Sequence, residues 1–217
     1  MRISRRAAGL ATGVALAVGA TGFAAPGAQA APHKLGTKSL VSVLSADKSG
    51  FDTNGKDFDI ATAAVVAVLK AKPKSPVSLL ANGKVALTAF LPNDLAFEIL
   101  VSDVAGKRIR NEKTAFNTAV KALGVNTIEQ VLLYHVVPGK TITAAQALHS
   151  DGAKLVTALP KKPIRVNVKK AHGGVGVFLV DLDRNDKDPR VNRYDINKGN
   201  RQIAHGITYV LRPANLP

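Results

Sequence analysis

Tyr134 and His135 stand side by side in an otherwise apolar run, Val131 to Val137, that ends on Pro138-Gly139. Rings this polar in so apolar a setting need hydrogen-bond partners, because an unpaired buried polar group costs about 1–3 kcal/mol. Burial also lowers the pKa of an imidazole unless an acid compensates, so a neutral His135 is expected there. Asp94 could orient His135 as a base and so begin a hydrolase. That chemistry needs a nucleophile, and the chain has neither a Gly-x-Ser-x-Gly elbow nor a cysteine. No catalytic residue and no cofactor is assigned.

Three other groupings could carry chemistry. The histidines His33, His135, His149, His172 and His205 are scattered without the spacing of a zinc site, so no metal is assigned. Asp181 to Asp188 places oxygens at alternate positions, as a calcium loop does. The sixth position is Asp186 instead of Gly, the twelfth is Asn192 instead of Glu, and Arg184 and Lys187 lie inside, so it reads as a solvated connection. Lys161, Lys162, Arg165, Lys169 and Lys170 gather around an expected strand, where Arg165, Asn167 and Lys169 would share one face. They form either a face for anionic polymers or a charged hairpin that blunts a sheet edge.

The elements that must position these groups follow from periodicity and punctuation. Ser39–Ser45 is a strand or a helical turn. Asp57 opens a helix with Ile60, Ala64, Val65 and Val68 on one stripe, closed by Lys70 and Pro73. Lys70 to Pro76 reads as a link. Val85–Leu91 is apolar on both faces, as a central strand is. Asn93 then caps a helix with Asp94 in its first turn and Phe97, Leu100 and Val101 inward. A longer helix runs from about Asn111 to a stop at Gly124. Thr127 and Gln130 have capping-box spacing for the helix that enters the Tyr-His run, and Thr143 and Gln146 have it for a short helix to Leu148. Strands are expected at Lys154–Leu159, Ile164–Val168, Val175–Asp181 and Gln202–Leu211. Helices thus dominate the first half and strands the second, an α+β arrangement.

The N-terminus reads Met1-Arg2-Ile3-Ser4-Arg5-Arg6, then runs without a charge to the small-residue site Ala28-Gln29-Ala30. This is the pattern of a cleaved signal peptide over residues 1–30, with Ser4-Arg5-Arg6 a hint of twin-arginine export. A lead over 31–36 and one domain over 37–217 follow. No second apolar span is long enough to anchor the chain, so a secreted, extracellular or wall-associated monomer is expected. Arg2, Arg5 and Arg6 account for three of the 30 basic residues, which leaves 27 against 15 acidic ones, or +12. Such a charge favours anionic cell-wall polysaccharide or acidic glycans. Ten aromatics and no Trp make a poor stacking platform, so no nucleic acid is expected.

Three segments, in order, resemble the fasciclin-like domain family. They are Thr88-Ala89-Phe90-Leu91-Pro92-Asn93-Asp94-Leu95-Ala96-Phe97, then Leu133-Tyr134-His135-Val136-Val137-Pro138-Gly139, then Ile203-Ala204-His205-Gly206-Ile207-Thr208-Tyr209-Val210-Leu211-Arg212-Pro213. The chain departs from the pattern at Ala89, at Leu91 and at His205 to Thr208. The resemblance implies a fasciclin-like fold, a two-sheet β-sandwich or wedge packed against several helices. It also implies a non-enzymatic adhesion protein whose partner is a cell-surface or matrix protein or polysaccharide. On that resemblance Tyr134 and His135 become partner-binding candidates. The alternative is structural, with His135 tying its helix end to the loop at Asn93 and Asp94.

Overall fold

Every residue of the first strand is buried. In the computed structural model, which describes residues 34–171 and 174–215, β1 spans Leu87–Pro92 with no exposed position. The expected signal peptide, His33 and His172 lie outside the described residues. Side chains alternate across a strand. Leu87, Ala89 and Leu91 therefore enter one core with the helices, while Phe90 enters another with a second sheet. A strand covered on both faces must be apolar on both, as its sequence is.

The first sheet runs β2 (Val136–Pro138), β1, β7 (Gln202–Ile207), β6 (Val191–Ile196). β1 and β7 are parallel, with Leu87 opposite Gln202 and Pro92 opposite Ile207, and the other pairs are antiparallel. The second sheet is antiparallel, in the order β3 (Lys154–Val156), β4 (Pro163–Ala171), β5 (Gly174–Val180). Phe90, Val191 and Ile207 from the first sheet meet Ile164, Val166, Val177 and Leu179 from the second in one cluster. The fold is α+β with two sheets and packed helices, as the pattern of elements indicates. β3 stops at Val156 instead of Leu159 because the chain turns there: Thr157 Oγ1 donates to Lys162 O at 2.7 Å. β6 was not expected. It is an edge strand with bulges and mixed exposure, and its sequence lacks an apolar face.

The helices are α1 (Leu40–Leu44), α2 (Asp59–Ala71), α3 (Asp94–Ala105), α4 (Glu112–Tyr134) and α5 (Ala144–Leu148). Side-chain caps start most of them. Ser39, Asn93 and Asn111 each accept the amide three residues on, and Thr143 with Gln146 forms the full capping box. Ser39–Ser45 is thus helical, and Pro76–Ala81, beginning where the expected Lys70–Pro76 link ends, is a 3₁₀ turn capped by Ser75. Gly124, at φ 72° and ψ 162°, breaks α4. Helix resumes after it, ahead of the expected restart at Thr127.

Candidate functional site

The end of α4 delivers Tyr134 and His135 into the interior, where they are 0% and 4% exposed. Tyr134 lies in the cluster between the sheets and donates its hydroxyl to Pro163 O at 3.1 Å, at the start of β4. Burial, aided by the charge of Asp181, raises its pKa. The His135 ring bridges two elements. Its Nε2 accepts from Leu211 N at 2.9 Å, so Nδ1 carries the proton and donates to Val131 O at 2.6 Å. Burial lowers its pKa to about 4, so the ring is neutral near pH 7. Both ring nitrogens are engaged, and no lone pair remains for the general base that a hydrolase would require. Neither side chain presents a surface for the partner contact expected of it.

The structural role of His135 also differs from expectation. Asn93 caps α3 through Ala96 N at 3.0 Å, and Asp94 accepts Ile60 N at 2.8 Å and Asp59 N at 3.0 Å, at the start of α2. The His135 ring instead holds the C-terminal segment, and its backbone O accepts from Phe90 N at 2.9 Å. The three sequence segments are therefore neighbours in space: β1 leads into α3, the Tyr-His run lies beside it, and β7 pairs with β1. The fasciclin domain family model matches residues 58–213. The chain belongs to the fasciclin domain family. Among solved structures it resembles a fasciclin domain pair from the insect cell adhesion molecule fasciclin I. The TM-score is 0.54 and the identity 17%, with 81% of this chain and 51% of that one covered. The chain thus spans about half the length of that structure, and at this identity the likeness concerns the fold. No curated protein matches the chain.

In this fasciclin domain the basic residues do not form one patch. Lys161 and Lys162 precede β4, whereas Lys169 and Lys170 lie near its other end, about 23 Å from Lys162 at 3.3 Å per residue. Lys162 Nζ donates to Pro213 O at 3.1 Å, and Lys169 Nζ sits 4.3 Å over the Phe178 ring. Ile164 and Val166 point into the core, so Arg165, Asn167 and Lys169 occupy the outer face. There Arg165 pairs across the ladder with Lys154. A cleft of about 990 Å³ borders this face, lined by Lys154, Arg165 and Asn167 together with Asp181, Asp183 and Asp188. The face is mixed in sign.

The Asp181–Asp188 loop is built around a cation of the protein itself. Arg212, 8% exposed, reaches Asp103 at 2.9 Å, Asp186 at 3.0 Å and Asp183 at 3.5 Å, and its backbone N donates to Asp181 Oδ2 at 2.7 Å. The Arg212 Nε to Asp186 approach is an ion pair at a poor hydrogen-bonding angle. A solvated connection was expected, but here a buried guanidinium takes the central place that calcium has in the loops it resembles. Arg212 stands next to last in the third sequence segment, and its position there gave the only sign of it.

Sequence reasoning also missed two buried polar centres. Gln202, 0% exposed, accepts Leu40 N at 2.8 Å and donates to Leu79 O and Asn82 O, so it fastens α1 and the 3₁₀ turn to β7. The second is acidic. Asp59, Asp94 and Glu112 are the first residues of α2, α3 and α4, and all three are buried together with Asp57 nearby. Each reads singly as a favourable helix-start charge, and only the fold brings them together.

Proposed function

We propose that this fasciclin domain is a secreted, non-catalytic interaction module that contacts a cell-surface or matrix component through the outer face of β3, β4 and β5. One observation carries the reading. The polar atoms of Tyr134 and His135 bind partners within the fold, so recognition falls to exposed chemistry, and this face has it in quantity. Lys154 and Arg165 stand exposed along the cleft bordered by the aspartates, and Val156, two residues on from Lys154 in β3, is 73% exposed. Mixed charge next to accessible apolar surface suits a protein or polysaccharide surface better than a uniform polyanion. Export through the N-terminal signal and a single interaction domain from residue 37 belong to the same proposal. Among the described residues no helix is long and apolar enough to cross a membrane.

A second reading, electrostatic binding of anionic polymer, is supported by the charge of +12 beyond the first six residues. Salt separates the two, since screening acts on exposed charges and hardly on apolar contact. The test is binding of the protein to whole cells and to polyanion-coated surfaces at low and high salt. Lys154→Ala/Arg165→Ala and Val156→Ser variants, checked for an unchanged melt, run alongside. Binding that survives salt and falls in both variants supports the sheet face. Binding that vanishes with salt and ignores Val156→Ser supports the polymer. Binding untouched by either variant refutes the assignment to this face.

A further inference from the structure

Three helices begin at one place, and each begins with an acid. Asp59, Asp94 and Glu112 open α2, α3 and α4, and the loop 52–57 closes over them. Glu112 Oε2 accepts Asp52 N at 2.7 Å, Asn54 Nδ2 donates to Asp57 Oδ2 at 2.8 Å, and Asp94 binds the amides of Asp59 and Ile60. Carboxylate oxygens of Asp57, Asp94 and Glu112 lie within 4.8 Å of one another, and those of Asp52, Asp57 and Asp59 form an adjoining set of the same spread.

Two of these oxygens have no partner. Glu112 is 1% exposed, and its Oε1 is buried without a hydrogen bond, as is Asp57 Oδ1. Among the described residues no Lys or Arg forms an ion pair with Asp52, Asp57, Asp59, Asp94 or Glu112. Arg193 lines a neighbouring cleft with Asp47, Asp57 and Asp59, but it packs over the Phe58 ring at 5.7 Å. In a chain with twice as many basic as acidic residues, such a cluster is anomalous. The three helix N-termini offset only part of it, roughly +0.5 each against five carboxylates. The acidic loop at Asp181–Asp188, by contrast, has Arg212.

We propose that Asp57, Asp94 and Glu112, flanked by Asp52 and Asp59, bind a hard divalent cation of the calcium class. The donors are all oxygens and come from a loop and three helix starts, which suits the variable coordination of calcium better than the strict octahedron of magnesium. The site lies at the helix starts, apart from the outer sheet face, so its fate is independent of the surface-interaction reading.

The test is calorimetric titration of EDTA-stripped protein with CaCl2 at pH 7.5, with melts in parallel. One ion should bind with Kd of about 10⁻⁴–10⁻³ M, and a tenfold excess over Kd should raise Tm by about 3–6 °C. Glu112→Gln keeps an acceptor for Asp52 N but removes the charge. It should weaken binding at least tenfold and melt in EDTA no lower than the parent. Asp57→Asn should weaken binding likewise. A parent whose melt and heat ignore calcium overturns the proposal. So does binding that persists in both variants, or an equal Tm shift from NaCl of matched ionic strength.

Discussion

Replacing His135 with Phe keeps a ring in the interior but deletes the acceptor for Leu211 N, which lies 2.9 Å from Nε2 on a residue that is 0% exposed. An orphaned buried N–H costs about 1–3 kcal/mol, or about 2–12 °C in Tm for a domain of this size. The pH dependence is more telling. The folded His135 pKa lies at about 4 against an ordinary 6.5, because burial penalises the imidazolium. The unfolded chain therefore binds the proton more tightly. The stability this group contributes is complete above pH 6.5 and is lost as pH falls towards 4. Linkage puts the loss at about 2 kcal/mol by pH 5 and about 3 kcal/mol by pH 4. The Phe variant lacks this term, so the stability difference between parent and variant should close on acidification and vanish between about pH 4 and 6. Urea denaturation at half-unit pH steps measures it. His205, whose pKa is also lowered by burial, is common to both proteins and cancels. A parent-minus-variant difference that stays constant from pH 7.5 to 4 refutes the assignment of His135 as a buried neutral tie.

Asp94→Asn should act in the opposite sense in metal-free protein. The folded carboxyl holds its proton up to about pH 8 while the unfolded one releases it near 4, so parental stability declines as pH rises through that window. Melts in EDTA from pH 5 to 8.5 should show the variant gaining on the parent as pH rises. Gly83→Ala places a Cβ 1.8 Å from Thr37 O and 2.9 Å from Ser39 N, backbone atoms that cannot swing away. A loss of about 2–4 kcal/mol, read by denaturant midpoint, is expected. Arg212→Met retains the stem but strips the buried Asp183 and the half-buried Asp186 of their cation. It should cost about 3 kcal/mol, with Arg212→Lys recovering only part of the loss in the same assay.

The legible parts of the fold were those where a local pattern and its tertiary role agree. β1 is apolar on both faces because it is covered on both, Asn93 and the Thr143–Gln146 pair cap where their spacing says, and Gly124 interrupts its helix. The order of the three segments indicated the family. Hidden were features that exist only across sequence distance. The parallel pairing of β1 with β7, the amide of Gln202 and the guanidinium of Arg212 each join stretches more than 100 residues apart. β6 escaped because an edge strand need not carry an apolar face. The Tyr-His run showed that its rings needed partners without showing which, and Leu211 proved to be one.

The parallel pairing of β1 with β7 also governs the time at which the sheet can exist. β7 is the last strand of the chain, yet it sits between β1 and β6. A chain emerging from its N-terminus can close β1 against β2 early, but it leaves the far edge of β1 open and gives β6 no neighbour in its sheet until residues 202–207 arrive. Such late, long-range closure makes for slow assembly. A truncation just before Gln202 should therefore leave an incompletely folded, aggregation-prone chain, detectable by its failure to melt cooperatively. Closure of this sheet is thereby deferred until residues 202–207 are available, however early the strands before them emerge.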